Sequence, residues 1–353
     1  MGYTEHLYIH IPFCYKICTY CDFYRKESKS FDEQNKYISK IIKEINETKT
    51  LFKTIYIGGG TPNYLDLNLL DKLLSACKNK LKEKYEFTIE CNPEFVSENQ
   101  TNIFSKNKVN RISLGVQTTN ENILELLNRN HKNSDVINAI KCLKEKNIKN
   151  ISCDFIYNLP LMKIADIDKD IQFVQKYEIP HLSFYALEIK EGSIMNKKKY
   201  KTNFDKENDQ FEHIEKKLNK TKYERYEISN WALNSQFKSK HNMAYWTLKN
   251  WKAIGISAYG FENNIYYKNE GNILNWKKQA IKWTDKELYE NILIMGLRLI
   301  DGVDLSNPRN YQAYLFFKDK LDKNKIIIYE NDSKTWLKAK NPNLLNDILI
   351  EII

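Results

Sequence analysis

Cys14, Cys18 and Cys21 stand in a C-x3-C-x2-C spacing directly after a short alternating apolar run, Tyr8-Ile9-His10-Ile11. Thiols this close along one chain are too tight for ordinary disulfide pairing and suit convergence on one inorganic centre. A strand thus runs into a loop that reads as a ligand cage. The count of three is informative, because a cubane of four irons and four sulfides held by three thiolates leaves one iron open to an amine and a carboxylate from a small molecule. The competing reading is a structural zinc site completed by His10. Such sites usually draw their cysteines from two knuckles, and this chain has one.

With its flanks the loop reads Y-I-H-I-P-F-C-x3-C-x-Y-C-D-F. It resembles the radical S-adenosylmethionine superfamily, and within it the branch that contains oxygen-independent coproporphyrinogen III oxidases and the HemW-type heme chaperones. The resemblance implies a [4Fe-4S] cluster on Cys14, Cys18 and Cys21, with S-adenosylmethionine on the open iron. A reduced cluster of this kind cleaves the sulfonium homolytically to a 5'-deoxyadenosyl radical, with electrons from an outside donor such as a flavodoxin or ferredoxin.

Downstream, short β-branched runs alternate with stretches of helical period. Strands are expected at 7–11, 54–57, 86–90, 111–116, 151–156 and 181–187, with helices at 31–47, 66–81, 97–106, 134–146 and 166–177. Helical crossovers between successive strands imply parallel pairing and right-handed connections, hence an α/β fold with a curved parallel sheet. Chemistry in such folds collects at the carboxyl ends of the strands. The cysteine loop, Gly58-Gly59-Gly60-Thr61-Pro62, Glu90-Cys91-Asn92-Pro93, Gly115-Val116-Gln117 and Asp154 with Asn158-Leu159-Pro160 all fall on that rim. The resemblance narrows the fold to a partial (β/α)6 barrel.

Each rim residue has an ordinary reading as a turn or a solvated polar group, but together they suit one ligand. Consecutive glycines let backbone approach a ligand closely. Glu90 and Asp154 are strand-end carboxylates that a ribose diol or a cation would satisfy. Gln117 both donates and accepts, and Arg129 can grip a carboxylate with two parallel bonds. By position the resemblance makes Tyr8, Gly59, Gly60, Thr61, Glu90, Gln117, Arg129 and Asp154 the S-adenosylmethionine contacts, with Tyr20 and Ala186 joining through their backbone.

The two known branches part at one position. The oxidases carry a further cysteine two residues after the third ligand, whereas the chaperone type has phenylalanine; here it is Phe23. His241-Asn242-Met243-Ala244-Tyr245-Trp246 matches the chaperone H-N-x-x-Y-W motif and makes His241 a candidate heme ligand beside two flat aromatic faces. One His among aromatics is, taken alone, more often packing than ligation. Three residues depart from the usual pattern: Tyr259 stands for His, Thr119 for Phe and Cys91 for Ala. The expected function is a heme chaperone that passes heme to an acceptor protein; the alternatives are the oxidase and a radical enzyme with another substrate.

The 353 residues exceed a usual single domain, so a barrel core over 1–195 is expected, followed by an α+β extension over 196–284 that completes the porphyrin or heme site. A mainly helical, winged-helix-like unit over 285–353 would close the chain. The net charge of +10 comes from lysines scattered through a Lys-, Asn- and Ile-rich composition, which argues against nucleic-acid binding. No export signal or bilayer-length apolar stretch is present, so a cytoplasmic chain with reduced thiols is expected. Cys77, Cys91, Cys142 and Cys153 then read as buried small residues. A homodimer and a peripheral membrane contact are left open.

Overall fold

Alternation within the apolar runs sets the architecture. The computed structural model describes residues 4–352; residues 1–3 and 353, the outer ends of the first and last segments, lie outside it. Six strands pair in parallel in chain order: β1 (His6–Ile11), β2 (Phe52–Gly59), β3 (Leu81–Cys91), β4 (Arg111–Gln117), β5 (Asn150–Tyr157) and β6 (His181–Ala186). Along β1 the odd residues Leu7, Ile9 and Ile11 are fully buried and face the helices, while His6, Tyr8 and His10 face inward. The same parity continues in β2 through β6, with Thr54, Tyr56, Glu90, Ser113, Ser152, Asp154, His181 and Ser183 joined across the interior by hydrogen bonds. Parallel strands usually read as continuous apolar runs because both faces are dry. Here the inner face is polar, which marks a working interior.

Helices α1 (Phe31–Glu47), α2 (Leu67–Lys78), α3 (Glu98–Lys106), α4 (Asn133–Glu145) and α5 (Ile164–Lys176) cover the outside. Each buries an i, i+3/i+4 stripe, as in Leu69, Leu70, Leu73, Leu74 and Cys77 of α2. Side-chain caps end them where the sequence places short polar residues: Ser30 accepts from the Glu33 amide, Asp66 from Asn68 and Ser97 from Gln100. A further helix, α6 (Phe204–Leu218), packs beside α5. The result is a partial (β/α)6 barrel that hydrogen bonding leaves open.

The segment after 195 does not stand apart from this sheet. A hairpin of β7 (Glu224–Glu227) and β8 (Asn230–Ala232) extends it antiparallel beyond β6. The short helix α7 (Lys240–Trp246) follows, and then β9 (Trp251–Ile254) adds in parallel to β1 at the other edge. Beyond it lie β10 (Tyr259–Glu262), β11 (Ile265–Asn272) and β12 (Asn275–Lys282), giving one twelve-stranded sheet. The long β11–β12 hairpin has mixed, Lys-rich alternation, and no strand was expected there.

From Asp285 the chain forms α8 (Asp285–Gly296), β13 (Val303–Asp304), α9 (Pro308–Phe317), the hairpin β14 (Ile326–Asn331) and β15 (Lys334–Ala339), and α10 (Leu345–Leu349). Two helices with β13 between them, and a three-stranded sheet in the order β13-β15-β14, give a winged-helix-like unit. Its own apolar cluster, with Leu293, Phe317, Leu337 and Ile348 buried, also takes in Leu248, Trp251 and Phe261 from the preceding segment. Among the described residues no helix is long and apolar enough to cross a membrane.

Candidate functional site

The cysteine loop leaves β1 at the carboxyl rim and is tied down on every side. Phe13-Cys14 pairs with Lys26-Glu27, and the Gly60 and Thr61 amides donate to the Ile11 and Phe13 carbonyls at 2.7 and 2.8 Å. The Thr19 amide donates to Leu127 at 3.0 Å, and Asn128 Nδ2 donates to the Ile17 carbonyl at 2.7 Å. Gly60 is required by close approach, since a Cβ there would sit 2.8 Å from the Phe13 carbonyl and 2.9 Å from Cys14 Sγ. Gly59 has φ +116° and lies against the His10 ring.

Cys14, Cys18 and Cys21 open onto one cavity of about 410 Å3, and all three are free thiols. Burial pushes the Cys14 thiol up to about 11, against a hydrogen bond from Thr61, and pushes Cys21 up to about 12. Holding three thiolates there requires positive charge. Arg129 supplies it, with Nη1 3.6 Å from Cys18 Sγ and Nη2 donating to the Gly115 carbonyl at 2.7 Å. Burial opposes the Arg129 charge, but Cys18, Tyr20 and Glu94 outweigh burial and raise its pKa. The zinc reading loses its fourth ligand, because His10 Nε2 lies 2.8 Å from the Tyr24 carbonyl and Nδ1 lies 3.0 Å from the Tyr8 hydroxyl. Among the described residues no three His, Cys, Asp or Glu side chains are grouped to hold a single metal ion. Three thiols around one cavity, backed by a guanidinium, fit a cluster with an open corner.

The same cavity is lined by Tyr20, Gly59, Gly60, Thr61, Glu90, Gln117, Arg129, Asp154 and Ala186. Asp154 accepts from Ser113 at 2.6 Å and from Ser152 and Ser183 at 2.9 Å each, which fixes both carboxylate oxygens at the rim. Glu90 accepts from the Tyr56 hydroxyl at 2.8 Å and from the Gly59 amide at 3.0 Å. Burial nevertheless pushes its carboxyl up to about 7. Gln117 reaches the cavity from a backbone with φ +67°. The loop after it is held by Asp170, which accepts from the Thr119 amide and hydroxyl at 2.6 and 2.7 Å. Thr119 therefore has a local reason to replace Phe.

Two expected residues are elsewhere. Tyr8 does not line the cavity; it packs behind His10 and Tyr56 in the barrel interior. His241 is 1 % exposed at the amino end of the barrel, stacked on Tyr56, with both ring nitrogens engaged. Its Nδ1 lies 2.6 Å from Thr54 Oγ1 and its Nε2 lies 2.7 Å from the Tyr245 hydroxyl. Neither nitrogen is open to a heme iron in this arrangement. Tyr259 stacks on Tyr266 outside the cavity. Of the remaining cysteines, Cys77, Cys91 and Cys153 are buried, with Cys91 lining the cavity, and Cys142 is half-buried. The sequence reading missed Tyr56, Ser113 and Tyr185 as lining residues. The signal was present: stepping back in twos from Gly115 gives Ser113, and from Gly58 gives Tyr56.

Residues 8–174 match the Radical SAM superfamily. The chain is 35% identical to the heme chaperone HemW of Lactococcus lactis over 97% of its own length and 95% of that protein. It is 30% identical to the heme chaperone HemW of Bacillus subtilis over 97% of each. Among solved structures it superposes on the coproporphyrinogen III oxidase HemN of Escherichia coli with a TM-score of 0.82 at 18% identity, covering 99% of this chain and 90% of that one. This last likeness is one of fold. Cysteine cage, polar rim and near full-length correspondence agree, and the chain belongs to the HemW-type family of radical SAM proteins.

Proposed function

We propose that the chain is a heme chaperone of the radical SAM type, which binds a [4Fe-4S] cluster, S-adenosylmethionine and heme and hands the heme to an acceptor protein in the cytoplasm. The observation that supports this most is the correspondence, along nearly the whole chain, with two proteins named heme chaperone. Phe23 agrees with it. It lines the mouth of the rim cavity, 62 % exposed, at the position where the oxidases of the branch carry a further cysteine.

In this reading Cys14, Cys18 and Cys21 hold the cluster, and Arg129 offsets their negative charge while bracing the β4 terminus through the Gly115 carbonyl. Asp154, oriented by three serines, offers carboxylate oxygens to a ribose diol. Glu90 and the Gly59–Thr61 backbone face the methionine end, and Tyr20 and Ala186 close the remaining sides. When bound, cluster and cofactor together supply one-electron cleavage of a carbon–sulfur bond. The protein positions these groups and, through Ile156, Leu187 and Tyr185, keeps apolar surface over them. An external flavodoxin or ferredoxin would supply electrons.

The test is a heme titration and a coproporphyrinogen III decarboxylation assay on one anaerobically reconstituted sample. The expected result is heme that stays bound through gel filtration and no decarboxylation with reductant and excess cofactor. Decarboxylation at enzymatic turnover without heme affinity would make the chain an oxidase. Neither activity would leave a radical enzyme with another substrate.

A further inference from the structure

A second cavity, of about 500 Å3, lies at the amino end of β1, between the barrel and the winged-helix-like unit. His6 on its wall is about 17 Å along β1 from the residue that enters the cysteine loop. The volume is within the range of sites for cofactor-sized ligands. Trp246, at the end of α7, and Trp336, on β15, contribute flat apolar faces, and Lys249 and Arg309 contribute positive charge. The acidic wall residues are already matched: Glu5 pairs with Lys53 and Lys82, and Asp304 pairs with Lys334. A flat apolar ligand with anionic edges would find its complement here.

A line of hydrogen bonds ends at this wall. The Tyr245 hydroxyl meets His241 Nε2 at 2.7 Å, His241 Nδ1 meets Thr54 Oγ1 at 2.6 Å, and Thr54 Oγ1 meets His6 Nδ1 at 2.9 Å. The Thr54 hydroxyl has one hydrogen for two imidazole nitrogens, so one of the two rings must donate to it. When His6 donates from Nδ1, its Nε2 carries a lone pair. That nitrogen is on the ring edge away from Thr54, and no hydrogen bond reaches it among the described residues.

We propose that heme sits in this second cavity with His6 Nε2 as an axial ligand to its iron, Lys249 and Arg309 facing its propionates, and His241 as a positioning residue acting on His6 through Thr54. The placement rests on the heme-chaperone reading. It also assigns the H-N-x-x-Y-W segment a role that the buried His241 cannot fill directly. His241 holds the tautomer of the ligand, and Trp246 forms the wall. A hydrogen-bond partner on the second nitrogen of a ligating imidazole usually changes metal affinity 10–100-fold, roughly, when removed.

The test is a heme titration, read by Soret absorption and by electron paramagnetic resonance of the ferric form, on reconstituted wild type and variants whose iron content and melting temperature are checked in parallel. His6→Ala should lose the histidine-ligated signature and most of the affinity while keeping the cluster, and added imidazole should restore the signature in His6→Gly. Thr54→Val should weaken binding by about 10–100-fold with the ligand signature retained. Wild-type heme affinity and spectrum in His6→Ala would overturn the placement while leaving the chaperone reading intact. Loss of the signature in His241→Gln but not in His6→Ala would overturn it in favour of direct ligation by His241. No heme uptake by the wild type would remove both the placement and the reading beneath it.

Discussion

At the scale of single residues the rim site works by satisfying some polar groups and leaving others costly. Asp154 has three hydroxyl donors and stays ready as an acceptor, while Glu90 has two donors in a dry setting that pushes its carboxyl up to about 7 from an ordinary 4.5. In that window the folded protein keeps a proton that the unfolded chain has released. The Glu90 contribution to stability is therefore complete below the ordinary carboxylate range and is lost as pH rises through about 7. In urea melts of the cofactor-free protein, wild type should lose stability relative to Glu90→Gln as pH rises from about 4.5 to 7, and the gap should be constant above that. Parallel pH curves would show that Glu90 ionises without strain. Gly60→Ala tests the packing beneath the cage. The added Cβ would press on a carbonyl and on Cys14 Sγ, so overpacking of roughly 1–3 kcal/mol should appear as weakened iron retention in a folded protein. Full iron and sulfide content would contradict that account.

At the scale of elements, α7 decides how the barrel ends. Glu86 on β3 accepts from the Lys240 and His241 amides at 2.9 and 3.0 Å, and Ser239 caps the same helix by accepting from Asn242. A carboxylate at a helix amino end satisfies donors that would otherwise be orphaned and interacts well with the helix dipole. Glu86→Ala should therefore destabilise the protein by roughly 1–3 kcal/mol and speed amide exchange across 240–246 more than across α2. Uniform exchange behaviour would mean that α7 is held by packing alone. Most elements of the first half could be read from sequence because parity and helical period agree with the caps that end each helix. How the strands after 195 join the sheet could not. β9 joins β1 across more than two hundred residues, and such a pairing leaves no trace in local periodicity.

At the scale of the whole molecule, one sheet serves two ends. Its carboxyl rim gathers the cysteines and nine of the ten other expected contact residues within a single cavity, as the β/α order implied, and only the thiols' shared opening needed no distant partner to be foreseen. Tyr8 and His241 both lie in the polar barrel interior, and the depth at which such a side chain sits is not carried by local sequence pattern. The amino end, closed by α7 and the winged-helix-like unit, was invisible in the sequence because its walls come from four separated segments. The central claim is that three thiols of the rim leave one iron of a cluster for S-adenosylmethionine, and the most direct measurement is Mössbauer spectroscopy of protein reconstituted anaerobically with 57Fe, with and without the cofactor. The account predicts a [4Fe-4S] spectrum in which adding S-adenosylmethionine shifts a single iron site and leaves the other three unchanged. A cluster whose four irons are all indifferent to the cofactor, or iron bound without a cluster, would contradict it.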